Sequence, residues 1–443
     1  MSNTLPTELL VQIFEDLPIA DVLSVALADR RLSSIAYALR FRHLCLRPSP
    51  AAAKDFDSER IDFWVSKEIS PLVKAVLVAP SKTSETHRQR AASTASCPLV
   101  STFLRHTQNF TSLQSLTLES IQLPASSLPS LCGLPPLQSL AVCDCDIIGR
   151  GESRAPQELL RRLSTRAFER VDSPERISSG LQLWWDILDA RALERLELTC
   201  ALGPWSASAD TSVIPDVSNV RELSLTMDLG WLRADAIAVL APFCGLERLR
   251  LRSLGGVVRD IEMSGVEVAF PFLRELDTHC ALLPGVLGDS DAESGVLERL
   301  EICDCTGSAL LETLRSVGAH LQAITMLTLH LDTPLTADEL RGALELVPRL
   351  THLELVSTIA GDVRSLLAAL PTIPFPPPLR VLRVTCSHPP AVDIDIEIDS
   401  SLPAEIAGAL LDGCPHLREV CFDVGGARRR WVRGGSSASV STG

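Results

Sequence analysis

The chain has 443 residues, more than one ordinary globular core accommodates, so two modules or an elongated array are expected. Hydrophobic residues make up 46% and charged residues 22%, the balance of a folded protein, and aromatics at 4% leave the core to aliphatic side chains. A net charge of −14 speaks against a nucleic-acid partner, because no broad surface would neutralise phosphates.

The first predicted element lies in "LPTELLVQIFEDLPIADVLSVA", residues 5–26. Leu9, Leu10, Ile13, Phe14 and Leu17 recur at helical spacing and form one apolar stripe. Pro18 is expected to end that helix and Asp21 to cap a second, which carries Val22, Leu23, Val25 and Ala26. A third helical segment, "SSIAYALRF", places Ile35, Ala36 and Leu39 on one face. Glu8, Glu15 and Asp16 interrupt the stripe and no basic stretch precedes it, which disfavours a secretory signal. No run of about 18 apolar residues occurs anywhere, so no membrane helix is expected. Thirteen cysteines, an odd number spread along the chain, fit free thiols in the cytoplasm or nucleus better than a disulfide framework.

Next come "VKAVLV" at Val73, expected to be a first, capping strand, and "SKTSETHRQRAASTAS" (81–96), expected to be an exposed loop. From residue 113 one pattern recurs: an apolar residue, two others, Leu, one other, an apolar residue. It reads "LQSLTL" at Leu113, "LQSLAV" at Leu137, "LERLEL" at Leu193, "VRELSL" at Val220, "LERLRL" at Leu246 and "LRELDT" at Leu273. It continues as "LERLEI" at Leu297, "ITMLTL" at Ile324, "LTHLEL" at Leu350, "LRVLRV" at Leu379 and "LREVCF" at Leu417. From Leu193 to Leu379 the starts are 27, 26, 27, 24, 27, 26 and 29 residues apart, and "FERVDS" at Phe168 is a degenerate copy. Alternation inside each hexamer predicts a short strand with one buried face. The stretches 308–321, 337–347 and 404–414 read as helices. One strand and one helix cannot close a core alone, so neighbouring copies must stack. The final "GGARRRWVRGGSSASVSTG" reads as a disordered tail, with Arg428, Arg429 and Arg430 as a solvated end.

This period and hexamer resemble the leucine-rich-repeat family. The fold class implied is α/β: a curved parallel sheet with helices on its convex side, preceded by a small all-α module. Residues 4–46, with Leu5-Pro6, Leu9, Ile13, Phe14, Leu17, Asp21-Val22-Leu23 and Val25-Ala26, resemble an F-box. Leu32 stands where that motif commonly has a third-helix tryptophan, and Phe41 is placed to supply a later aromatic. The resemblance implies a Skp-type adaptor and a cullin-RING ubiquitin ligase as partners, with Leu5, Pro6, Leu9, Ile13, Phe14, Leu17 and Leu23 as adaptor contacts and the repeats holding an unknown target. The alternative is a protein-binding scaffold whose first helices only cap the array. The expected division is 1–48 helical module, 49–112 linker with capping strand, 113–425 repeats and 426–443 tail.

Nothing in the sequence reads as a catalytic, cofactor or metal site. Cys143-Asp144-Cys145 and Cys303-Asp304-Cys305 sit at the same repeat offset, three or more repeats apart, and read as turn cysteines rather than zinc ligands. "GDSDAESG" (288–295) lacks the spacing of a calcium loop. Third, fifth and seventh hexamer positions should point out of the sheet. The third positions Arg195, Glu222, Arg248, Glu275 and Arg299 alternate in sign. Arg248, Arg250 and Arg252 on one strand exceed what Glu222 and Glu275 neutralise. Together with Asp277 and Arg299, they mark a candidate face for an acidic or phosphorylated target segment.

Overall fold

The computed structural model describes residues 5–47, 60–79, 98–148, 162–172, 182–200, 217–227, 240–253, 270–288, 296–333, 335–357, 363–386, 402–424 and 427–434. The chain divides into two compact units, residues 1–204 with 212–219, and residues 205–211 with 220–443.

Unit 1 begins with three helices, α1 (Thr7–Glu15), α2 (Ile19–Ala26) and α3 (Arg30–Arg40). Pro18 occupies the N-cap of α2, so Asp21 stands inside its first turn rather than at its cap. Asp29 does cap α3, its carboxylate accepting the Arg31 N–H at 2.6 Å. Arg31 then donates to Leu5 O at 2.7 Å and Thr7 Oγ1 at 2.9 Å, and Arg42 pairs with Glu15, tying the ends of the module together. Phe14, Val22, Ile35 and Ala36 form the interior, packed round by Leu10, Val11, Leu17, Val25, Leu32 and Leu39.

Strands follow: β1 (His43–Leu46), β2 (Ala75–Val78), β3 (Ser115–Glu119), β4 (Gln122–Pro124), β5 (Leu137–Cys143), β6 (Asp146–Ile148), β7 (Thr165–Val171) and β8 (Arg195–Cys200). β1, β2, β3, β5, β7 and β8 are parallel neighbours in that order, while β4 and β6 form a separate parallel pair. The sheet therefore starts at β1, inside the stretch assigned to the helical module, and not at Val73. His43–Leu46 alternates in burial as a strand must, and that alternation is too short to register as a repeat.

Unit 2 carries β9 (Glu222–Met227), β10 (Arg248–Ser253), β11 (Glu275–His279), β12 (Arg299–Cys305), β13 (Met326–Leu331), β14 (His352–Ser357), β15 (Val381–Cys386), β16 (Glu419–Val424) and β17 (Ala427–Val432). β9 to β16 are parallel in sequence order, and β17 turns back antiparallel on β16. Residues 427–432 are thus a closing strand, not a disordered tail. The helices α4 (Pro98–Arg105), α5 (Leu128–Cys132) and α6 (Gln182–Ile187) lie in unit 1, and α7 (Leu283–Leu287), α8 (Gly307–Ser316), α9 (Ala337–Glu345), α10 (Val363–Ala369) and α11 (Leu402–Gly413) in unit 2. Parallel neighbours demand such crossovers. One strand and one crossover per repeat, stacked in chain order, is the leucine-rich-repeat solenoid. Thr336 and Glu339 close a reciprocal capping box at the start of α9.

The register is that of the hexamers. Leu223, Leu249, Leu276, Leu300, Leu327, Leu353 and Leu382 face one another along the buried row. In β7 it is Phe168 that aligns with Leu140, so this repeat starts at Thr165 and Phe168 is its fourth position, not its first. Among the described residues no helix is long and apolar enough to cross a membrane.

Candidate functional site

Two surfaces carry the expected contacts, one in each unit. On the helical module of unit 1, Leu5, Leu9, Ile13 and Leu23 are between 37% and 50% exposed, and Leu27 is 90% exposed. Pro6 is exposed at the N-cap of α1, its carbonyl accepting the Leu10 N–H at 3.2 Å. The helical stripe thus splits in two. Phe14 is 5% exposed and belongs to the interior, so it is not a contact residue. Leu17 and Leu32 also pack against that interior. Periodicity alone cannot separate the two sets, because a helix packed against its neighbours on one side buries only part of its apolar arc. Phe41 is buried within an aromatic group, its ring centroid 4.7 Å from Tyr37, 5.6 Å from Phe63 and 5.5 Å from Trp64.

In unit 2 the strand residues outside the core form continuous rows about 4.8 Å apart. The third-position row is Glu222, Arg248, Glu275, Arg299, Met326, His352, Val381 and Glu419. Arg195 stands in unit 1, where it pairs with Glu197 at 3.0 Å. Arg248 bridges Glu222 at 2.9 Å and Glu275 at 3.3 Å. Asp277 Oδ2 takes Arg250 at 2.9 Å and Arg252 at 2.8 Å, and Arg252 reaches Glu301 at 3.2 Å. Arg299 lies 4.0 Å from Glu301.

Four carboxylates therefore meet Arg248, Arg250, Arg252 and Arg299, where the sequence reading set only Glu222 and Glu275 against the arginines. Asp277 and Glu301 complete the balance from the fifth positions of the next two strands. Exposed pairs of this kind contribute about 0.2–1 kcal/mol each. The arrangement is a neutral ladder whose fifth-position carboxylates are sunk (Asp277 is 9% exposed) while Glu222, Glu275 and the guanidinium groups stand out toward solvent (Arg250 is 50% exposed). It offers N–H edges to a partner without a surplus of positive charge.

Beside the ladder, His330 Nε2 contacts Glu301 Oε1 at 3.0 Å. His279, buried at the end of β11, accepts the Ser253 N–H at Nε2 (3.0 Å) and turns Nδ1 toward Asp304. Its hydrogen bond to His279 holds the Asp304 carboxyl below its ordinary range, while burial and the Asp304 charge raise that of Asp332. Sequence reading missed this group, since its members are four repeats' worth of single residues and only the register unites them. His352 instead sits in the third-position row against Thr351 Oγ1.

The two Cys-Asp-Cys turns share a backbone conformation, though their second thiols bond to different strands. Asp144 and Asp304 adopt left-handed backbone, φ 51 and 55, as does Ser120 at the same offset of its repeat. Asp is among the few non-glycine residues that accept this conformation. Cys145 Sγ donates to Leu118 O at 3.3 Å and Cys305 Sγ to Ile302 O at 3.4 Å. Among the described residues no group of His, Cys, Asp and Glu is placed to hold a metal ion. Residues 81–96 and 289–295 lie outside the described residues.

No family model and no curated protein matches the chain. Among solved structures it is similar to the leucine-rich-repeat protein of the TLR13–ssRNA13 complex, at 15% identity and a TM-score of 0.41 over 72% of this chain and 41% of that one. It is also similar to an internalin, InlF of Listeria monocytogenes, at 14% identity and a TM-score of 0.36 over 75% of this chain and 89% of that one.

Proposed function

We propose that the chain is the target-recognition subunit of an SCF-type cullin-RING ubiquitin ligase, working in the cytoplasm or nucleus. Its three N-terminal helices hold the Skp-type adaptor and its repeats hold the protein to be modified. The observation that carries this reading is the helical module's own interior. Phe14, Val22, Ile35 and Ala36 close a core to which no strand contributes, while Leu5, Leu9, Ile13, Leu23 and Leu27 stay outside it. A mere cap would spend its apolar face on the first repeat; this one keeps a second apolar face uncovered.

The chain itself would make and break no bond. Its contribution is proximity, raising the local concentration of target lysines beside the charged conjugating enzyme. The ladder of unit 2 would supply orientation and selectivity more than raw affinity, because each guanidinium is already half-satisfied.

Co-purification with a Skp-type adaptor tests the reading. Pro6→Glu with Ile13→Lys should abolish capture and leave the thermal melt in place, because both side chains are exposed. Capture at undiminished affinity would remove the interface, and failure of the wild type to bind any adaptor would leave a repeat scaffold. Phe14 is the wrong probe, since truncating a buried phenylalanine costs about 3–5 kcal/mol and unfolds the module first.

A further inference from the structure

Among the described residues the last strand of unit 2 lies at the edge of the sheet, and it runs antiparallel to its neighbour where β9 to β16 are parallel. β17 pairs with β16 so that Glu419 faces Val432, Cys421 faces Arg430 and Asp423 faces Arg428. The Arg433 N–H donates to Arg418 O at 2.9 Å. In an antiparallel ladder hydrogen-bonded positions alternate, so Arg429, Trp431 and Arg433 spend their backbone groups on β16. The N–H and C=O of Arg428, Arg430 and Val432 then point to the opposite edge, where the sheet has no further strand among the described residues. The same three residues carry the exposed side chains, Arg428, Arg430 and the 45%-exposed Val432.

The strand is held firmly enough to act as a template. Trp431 packs edge-on to the buried Phe422 at 5.6 Å between centroids. Arg433 fastens its end, donating from Nε to Leu417 O at 2.9 Å and from Nη2 to Cys414 O at 2.8 Å and to Leu411 O, carbonyls at and beyond the end of α11. Arg430 pairs with Glu419 at 2.6 Å and is still about half exposed.

We infer that β17 is a docking edge for an extended acidic segment of a partner protein, which adds as one more strand. The partner's backbone would take the free groups of Arg428, Arg430 and Val432, and carboxylates at alternate positions would lie beside the two arginines. A second copy of this chain does not fit, because two such edges would set arginine against arginine. A neutral strand is met by charges it cannot satisfy, the usual way an edge is guarded against indiscriminate pairing. This inference stands apart from the adaptor reading, as it concerns only unit 2.

Fluorescence anisotropy on the full chain at low salt would test it with three labelled octapeptides of alternating Glu-Thr, Gln-Thr and Lys-Thr. Glu-Thr should bind about tenfold more tightly than Gln-Thr, and Lys-Thr not at all, given two opposite-charge cross-strand pairs. Arg428→Glu should erase the preference. Val432→Pro should weaken binding without touching the β16 ladder, since the N–H it removes faces outward. Glu-Thr methylated at alternate backbone nitrogens keeps its charge and should not bind, which decides the matter on the wild type if the proline variant fails to fold. Equal binding of Glu-Thr and Gln-Thr, or undiminished binding of the methylated peptide, would show the arginines to be edge guards or the peptide to sit elsewhere, and either result overturns the inference.

Discussion

Glu301 shows how a single residue sets the outer face of unit 2. It is 15% exposed at the fifth position of β12 and receives both His330 and Arg252. Its hydrogen bond with His330, reinforced by the charges of His330 and Arg252, keeps its carboxyl below the ordinary value of 4.5. A carboxylate depressed in the folded state adds stability above its unfolded value, and that stability is lost as pH falls through the folded value. Glu301→Gln should therefore cost about 1–2 kcal/mol at pH 7, with the gap to wild type closing as pH falls below 4.5 and through the lower, folded value. Urea melts across that range would check it, and a gap that ignores pH would mean shape rather than charge is what Glu301 supplies. The thiols give a second expectation. Burial, then Asp277 and Glu301, push Cys303 up to about 12, and burial with Glu169 pushes Cys143 up to about 11. Cys244 is exposed. Mass mapping of iodoacetamide adducts at pH 8 should find Cys244 modified at least about tenfold faster than either, because the thiolate is the reactive form. Comparable rates would mean that the Cys-Asp-Cys turns open readily.

At the scale of elements, the repeats were legible because a buried apolar residue at the fourth and sixth positions is the same physical demand made in nearly every copy. What escaped is where that demand is met differently. Arg170 fills the sixth position of β7, between Val142 and Leu198, and is 2% exposed. It survives there because Asp172 follows it into the interior, Oδ2 to Nε at 2.9 Å. A hydrophobic pattern search reads Arg170 as outward and shifts the repeat by three residues. Removing one partner of such a pair strands a buried charge, so Asp172→Ala should destabilise by about 3–5 kcal/mol, whereas Arg170→Leu with Asp172→Val should be near neutral. Equilibrium melts of the two variants would separate them, and equal losses would mean the site tolerates a lone guanidinium. The charged ladder escaped in part for a related reason. The arginines of β10 find their carboxylates on β9, β11 and β12, and only the register shows that Asp277 takes two of them and that Glu301 is within reach. Gly307 adds a packing lesson: a Cβ there would collide with the Glu339 carboxylate that caps α9, so adjacent repeats approach through a missing side chain. The strand β17 was hidden by the glycine pair before it and the glycine- and serine-rich stretch after it.

For the whole molecule, the placement of lysine sets how a ligase subunit would be modified by its own complex. The chain has four lysines, Lys54, Lys67, Lys74 and Lys82, and every basic residue after position 82 is arginine or histidine. A codon preference for arginine accounts for this more simply than selection does, and the consequence is the same. Arginine accepts no ubiquitin, so the repeats from β3 onward hold no internal acceptor. Lys67 is exposed and Lys74 half-buried, its carbonyl bound to the N–H groups of Gln114 and Ser115 ahead of β3. Lys54 and Lys82 lie outside the described residues, and Lys82 opens the polar stretch that the sequence marks as exposed. If the chain serves as the receptor of a ubiquitin ligase, self-modification must fall on these four positions, with Lys67 and Lys82 favoured over Lys74. Changing all four to arginine should leave adaptor capture and the thermal melt unchanged and lengthen the protein's lifetime in cells several-fold. Mass spectrometry of adaptor-bound protein gives the direct reading. A short-lived protein bound to its adaptor and free of ubiquitin remnants at all four lysines would show that its turnover is set by another ligase acting elsewhere.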